Sequence, residues 1–336
     1  MEAGALTVGE NPSSWARVKE AAERHPARTA LIILGVLILV MVVAKGIHEV
    51  AEVGLAGLST GAIYALGAVG LTLVYGILKL VNFAHGDFLT FGAYMAYLMN
   101  VTWGVPFAIS VVFAMVTTAA LGILTEKTMW APMRAKRAGL LQLVLMSIGL
   151  AFLIRAFIQF EWGTDVLTLD VNNTATVQFL GLSIGRTQLI TIVIGVVVIV
   201  ATGLMLRMTL LGKRMRALSD DLDLAETTGI DTSRVILYTW IFSGSLAGLA
   251  GVLAGANLAL QPELGFTLLL AIFAAVILGG IGDPFGALAG GMVLGLVTEW
   301  STMFIDSRWK LAVGFVVLIL VLIIRPQGIF GKAKVV

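Results

Sequence analysis

The chain has 336 residues, 59% of them apolar and 12% charged, a balance that excludes an ordinary water-soluble domain. Its formal charge of +2 is too small for a nucleic-acid-binding surface, and the absence of cysteine excludes disulfides, thiolate metal sites and thiol catalysis. The apolar residues come in blocks and do not alternate, so lipid-facing barrel strands are excluded and helices are the spanning option.

Met1–Thr29 is too long for the charged head of a signal peptide, and no small-residue cleavage site follows it. Ala30–Ala44 is therefore expected to be a retained first helix or signal anchor. A hydrocarbon core takes about 20 apolar residues in helical form. On that measure the sequence predicts spans near residues 28–46, 54–77, 86–101, 105–125, 139–160, 187–207, 235–259, 265–281, 285–302 and 309–325, about ten in all. The third and ninth are short and glycine-rich, as a re-entrant segment would be. The expected fold is thus an all-α polytopic membrane protein with short or broken helices.

Orientation follows from Lys and Arg in short loops. Arg17, Lys19, Arg24 and Arg28 precede the first span; Lys127, Arg134, Lys136 and Arg137 follow the fourth. Lys213, Arg214, Arg216 and Arg234 follow the sixth, and Arg325, Lys332 and Lys334 close the chain. An even span count puts all four groups, and both termini, on the cytoplasmic face. The acidic stretch Glu161–Asp170 and the turn Gln261–Glu263 fall on the other face. Spans two to five begin outside and spans seven to ten begin inside, the arrangement an inverted repeat requires. Small residues recur at packing spacing: Gly57/Gly61, Gly244/Gly248, Gly251/Gly255, Gly286/Gly290 and Gly291/Gly295.

Three segments break the apolar pattern. In VNFAHGDF (81–88), Asn82, His85 and Asp87 interrupt an apolar stretch beside Gly86. Two readings stand: a broken helix at the mouth of a solute path, or a cytoplasmic turn in which Asn82 or Asp87 caps the next helix. The span count places this break at the cytoplasmic end. In LGGIGDPFGALAGG (278–291), Gly279, Gly280 and Gly282 permit unusual backbone angles and Pro284 stops a helix. This is no phosphate loop, because no G-x-x-x-x-G-K-[ST] is present. A tight cytoplasmic turn with a gating role is the expectation. In Leu210–Arg234, Met215, Leu218, Leu222 and Ala225 recur at helical spacing among mixed charges, and Asp231 is placed to cap the element after Gly229–Ile230. Asp220, Asp221, Asp223 and Glu226 disfavour an anionic lipid surface, so the stripe points to a protein partner. Arg155 and Glu299 are read as snorkelling near span ends. With intramembrane charge so sparse and no nucleotide-binding motif, the energy source is expected on another chain.

The runs GLSTGAIYALGAVGLTLVYGILKLVNFAHGDFLTFGAY (57–94), LGKRMRALSDDLDLAETTGID (211–231), AAVILGGIGDPFGALAGG (274–291) and RPQGIFG (325–331) resemble the branched-chain amino-acid ABC transporter permeases. The likeness spans roughly residues 50–332 in the family's order. It divides the chain into a tail and extra first helix (1–49) and a permease domain (50–332) with a coupling loop at 208–234.

The resemblance implies a non-enzymatic importer subunit of the bacterial inner membrane that moves branched-chain amino acids by alternating access. Its implied partners are a second, related permease, two cytoplasmic ATPases that bind ATP and Mg, and an extracytoplasmic solute-binding protein docking near Glu161–Arg186. No cofactor is implied on this chain. Asn82, Phe83, Ala84, His85 and Gly86 match the family's NFAHG motif, with Asp87 beside it. Gly279, Gly280 and Gly282 match its glycine turn. Arg216, Ala217, Asp220, Asp221, Ala225, Gly229 and Ile230 fall in its coupling loop. Ala271 stands near a position where relatives often carry lysine, and relatives also serve urea, amides and aromatic acids. The implied solute is therefore a branched-chain amino acid or a related small polar molecule. The rival expectation from the residues alone is an ion-coupled secondary carrier using His85 and Asp87.

Overall fold

The computed structural model describes Gly35 and residues 39–171, 175–179, 181–325 and 327–329. Contacts divide the chain into Met1–Ala51 and Glu52–Val336. In the first unit residues 39–45 are helical; most of the expected span at 28–46 lies outside the described residues. The next helices are α1 (Ile47–Leu78), α2 (His85–Tyr97), α3 (Phe107–Thr125), α4 (Ala131–Ala135) and α5 (Leu140–Trp162). A small antiparallel hairpin, β1 (Thr176–Phe179) and β2 (Leu182–Gly185), leads into α6 (Arg186–Met208). Then come α7 (Leu210–Asp220), α8 (Leu222–Thr227), α9 (Thr232–Asn257), α10 (Leu264–Gly279), α11 (Pro284–Ser301) and α12 (Lys310–Ile324). One π-turn, Leu98–Thr102, extends α2, and another, Glu126–Trp130, joins α3 to α4.

Five helices among the described residues are long and apolar enough to cross a membrane, or six if the bent α10–α11 pair counts as one span. The expected count of about ten is therefore not confirmed. The reason lies in helix length. Hydropathy marks apolar runs, but α10 has 16 residues and α12 has 15, short of a full crossing. Helices α10 and α11 meet at 120° across residues 280–283.

The core is α1 and α9, 89% and 72% buried over their apolar windows, whereas α5 and α6 are only 22% buried and present Leu145, Leu153, Val193 and Val197 outward. An apolar helix face toward lipid gains nothing from burial, so what draws the inner helices together is close contact. Glycine supplies it. A Cβ on Gly251 of α9 would strike the Leu89 carbonyl of α2, and one on Gly92 would stand 2.5 Å from Gly248 Cα. A Cβ on Gly265 of α10 would strike the Gly86 carbonyl, and one on Gly295 of α11 would strike Gly61 of α1.

Polar groups in this core are tied. Ser243 of α9 donates to Gly70 O of α1 at 2.8 Å, and Thr90 of α2 accepts from Gly265 N at 2.9 Å. Glu126, buried in the second π-turn, pairs with Arg134 and accepts from Trp240 Nε1 at 2.8 Å. Trp130 stacks on Trp240 with an interplanar angle of 5°. On α11, Glu299 pairs with Lys310 and accepts from Thr60 Oγ1 at 2.6 Å. Glu299 is thus held between helices and does not snorkel.

These contacts set expectations for the purified protein in detergent. Gly251→Ala forces α2 and α9 apart and is expected to cost about 1–3 kcal/mol, read as a lower thermal midpoint. Gly149→Ala on α5, where an added methyl meets nothing within 4 Å, is expected to leave that midpoint unchanged or raised, because Ala outranks Gly in a helix by about 1 kcal/mol. Glu126→Ala strands the buried Trp240 N–H and frees Arg134. It is expected to cost about 2–3 kcal/mol, with Glu126→Gln milder in the same melt because the amide oxygen still accepts from Trp240.

Candidate functional site

The NFAHGD segment lies inside the bundle. After α1 ends, Lys79 adopts a left-handed backbone (φ 52°), and its Nζ donates to Gly76 O at 2.8 Å and Ser219 O at 3.1 Å. The chain then runs beside α5. Phe83 N donates to Ser147 Oγ at 3.2 Å, and the Ser147 hydroxyl reaches Val81 O at 3.4 Å. Asn82 is fully buried, and its Oδ1 accepts from Ala84 N at 3.1 Å. His85 opens α2 and donates from Nε2 to Gly67 O in the middle of α1, at 2.9 Å. Gly86 meets the backbone of Gly265.

Asp87 is fully buried, and its Oδ1 accepts from Arg155 Nε at 3.2 Å and Nη2 at 3.0 Å. Ser147 is the eighth residue of α5 and Arg155 the sixteenth. At 1.5 Å per residue the segment therefore rises from roughly 10 to 22 Å along that helix. Of the two readings of this segment the cap is not seen, because α2 has no side-chain cap and Asp87 points at Arg155. The expectation that Arg155 snorkels is corrected: it is drawn inward by a buried carboxylate. The signal for it was a lone arginine in the apolar run FLIRAF, which only pairing explains at that depth.

Gly279, Gly280 and Gly282 form the bend between α10 and α11. Gly280 and Gly282 have φ of 115° and 88°, angles that side chains rarely adopt. Gly279 packs on the backbone of Gly286. Asp283 caps α11 by accepting from Phe285 N at 3.0 Å, and Ile329 N donates to Leu278 O at 2.8 Å, so residues 327–329 lie against the bend.

The loop expected to carry one amphipathic helix carries two. Asp221, extended at φ −156°, separates α7 from α8 and caps α8 by accepting from Leu224 N at 2.9 Å. Asp231 caps α9 through Arg234 N at 3.0 Å. Met215, Leu218 and Ala225 are buried, Ala217 and Ile230 half-buried, and Arg216, Asp220, Asp221 and Gly229 exposed. Leu224, 62% exposed, stands among the acids.

One cleft joins two of these segments. Arg216 and Ser219 of α7 line it with Thr72 and Gly76 of α1, Gly282 of the bend and Pro284 of α11. The NFAHGD segment does not line this cleft, but α10 connects the two. It starts at Gly265 against Gly86 and ends in the glycine bend. No group of metal-ligating side chains occurs among the described residues.

The family profile described as "Branched-chain amino acid transport system / permease component" matches residues 54–322. The high-affinity branched-chain amino acid transport system permease protein LivH of Escherichia coli K12 is 31% identical over 293 residues, covering 83% of this chain and 94% of that protein. BraD of Pseudomonas aeruginosa, described in the same words, is 30% identical over 293 residues, covering 83% and 95%. LivM of E. coli K12, another such permease protein, is 25% identical over 298 residues, covering 81% and 68%. A profile match over most of the sequence, together with relatives at this level of identity, places the chain in the branched-chain amino acid transport system permease component family.

Proposed function

We propose that this chain is one transmembrane subunit of an inner-membrane ABC importer for branched-chain amino acids or a related small polar solute. It is a transport component, not an enzyme, and the ATP and Mg chemistry belongs to partner ATPases. The family relationship supports this reading, and so does the similarity to both LivH and LivM, since two related permeases suit a heterodimer. An extracytoplasmic binding protein completes the proposed assembly, with the Glu161–Arg186 segment and its hairpin as the docking face. Both termini and the α7–α8 loop lie on the cytoplasmic side.

The observation that carries the mechanism is the shared cleft. Arg216 and Gly282 face the same cleft, Ser219 of α7 and Gly282 O both lie near Gly76 of α1, and Lys79 ties the end of α1 to Ser219 O, so a movement of α7 bears on all three. We assign Arg216, Ala217, Asp220, Asp221, Ala225, Gly229 and Ile230 to ATPase coupling. Asn82, Phe83, His85, Gly86, Asp87, Gly279, Gly280 and Gly282 are assigned to the pathway and its gate. Alternating access then follows from closure of the ATPases. Moving a gate from 1:99 to 99:1 takes about 5.5 kcal/mol. The short helices α2, α10, α11 and α12 complete a set of about ten spans, with α1, α2, α3 and α5 as one unit and α9 to α12 as its inverted counterpart. An ion-coupled carrier is the weaker reading. Such a carrier needs a carboxylate free to exchange its ion, and Asp87 is held by Arg155.

The test is reconstitution. Leucine uptake into proteoliposomes is expected only with both permeases, the ATPases, binding protein and ATP. Uptake by this chain alone on an ion gradient overturns the reading. Leu224→Asp puts a charge on the loop's exposed apolar side chain. It is expected to reduce co-purification of the ATPases and ATP-driven uptake at least tenfold, while the amount of chain in the membrane stays the same.

A further inference from the structure

A cluster of side chains from α2, α5 and α10 stands apart from the coupling loop and the glycine bend. At its centre is the Asp87–Arg155 pair. Arg155 gives Nε and Nη2 to Asp87 Oδ1 at 3.2 and 3.0 Å, and no residue among those described accepts from Nη1. A guanidinium has five N–H donors, so part of the fork remains open. Asp87 Oδ2, buried beside it, has no hydrogen-bond partner. The Arg155 side chain is 16% exposed. Phe266 of α10 lies over its guanidinium, with the ring centroid 5.0 Å from Cζ, and Phe152 of α5 flanks it at 5.9 Å. One turn further along α5, Gln159 donates to Glu263 Oε1 at 3.2 Å.

Most of α5 is a lipid face, but this stripe does not suit lipid. Arg155 lies roughly 22 Å from one end of α5 and 10 Å from the other, within the span of a hydrocarbon core of about 30 Å. An unfilled guanidinium facing acyl chains at that depth is costly, and such groups face a polar cavity or a partner. The local chemistry describes the occupant. Free N–H groups of an arginine take a carboxylate. The aromatic walls take a short aliphatic chain. The Glu263 carboxyl group, held by Gln159 one turn along, is the matching acceptor for an ammonium group.

We propose that this cluster is a contact station for the solute, taking an α-amino acid with a short aliphatic side chain: its carboxylate on Arg155, its apolar chain between Phe152 and Phe266. The proposal rests on the importer reading above and names the residues that meet the solute.

The chain has no cysteine, so Phe266→Cys carries a single thiol. The assembled importer with this variant is placed in proteoliposomes and treated with a water-soluble, charged methanethiosulfonate reagent. Modification of this chain is followed by mass. The thiol is expected to react, and to react at least threefold more slowly while leucine-loaded binding protein and ATP drive turnover. No reaction, or a rate indifferent to leucine, overturns the proposal. Independently, the double variant Asp87→Asn/Arg155→Gln removes both charges, so that neither is left buried alone. It is expected to lower leucine uptake at least tenfold, and uptake within twofold of the unaltered complex overturns the proposal. If the double variant does not assemble, the thiol experiment decides. A failure of the importer reading looks different: the unaltered complex then shows no ATP-dependent uptake at all.

Discussion

Backbone-to-backbone contact through glycine is the constraint on which this structure depends. In water a helix bundle is driven together by burying apolar surface, but lipid is as apolar as leucine, so that drive vanishes. What remains is dispersion between closely fitted surfaces, polar contact between helices, and lipid entropy. Glycines at positions 86, 92, 248, 251 and 265 bring α2, α3, α9 and α10 close enough that no added methyl would fit. That closeness also lets Thr90 reach Gly265 N and Ser243 reach Gly70 O. The broken segment before α2 depends on it as well. Residues 79–84 leave backbone groups unpaired by helix, and only neighbours at short range, such as Ser147, satisfy them.

The charged groups are placed by the same logic. A single charge within an apolar bundle is costly, and each one held there is shared between two or more helices. Asp87 and Arg155 join α2 to α5, Glu299 joins α11 to α1 and α12, and Glu126 joins the second π-turn to α4 and α9. None is a surface decoration. Each bond is geometrically specific, so it fixes the register of helices whose apolar faces would otherwise slide. Asp87 differs from the other two acids because it has a fully buried oxygen left unpaired. That incompleteness sets it apart from a purely structural tie.

Much of this is legible in the sequence, and the illegible part has physical reasons. The spaced glycine pairs mark helix faces that pack; spacing tells which face is small but not which helix fills it. Asp231 reads correctly as a cap because capping is local. The partner of Asp87 is not legible in the sequence because it is 68 residues away, on a helix whose position no local rule supplies. The span count stays unconfirmed for a related reason. Counting assumes that each apolar run crosses once and that polar breaks sit at the surface. Here the break at 79–84 lies alongside α5, and α2 starts beside the middle of α1. Asp221 divides the α7–α8 loop by its own cap, and no apolar stripe reveals that.

The position of α10 is set by its two ends. At Gly265 it rests on Gly86, within van der Waals reach and with no side chain to cushion the contact. At Gly279 it is clamped against Gly286, then bends through two residues of positive φ and is covered by the segment near Gly328. A helix gripped at both ends in a close-packed interior does not compress. Under the proposed coupling, a displacement at the α7 cleft is expected to shift α10 as a body or change its bend. The far end of that body carries Phe266, which lies over Arg155. The distance between the α7 cleft and the Arg155 cluster is bridged by one rigid element of 16 residues.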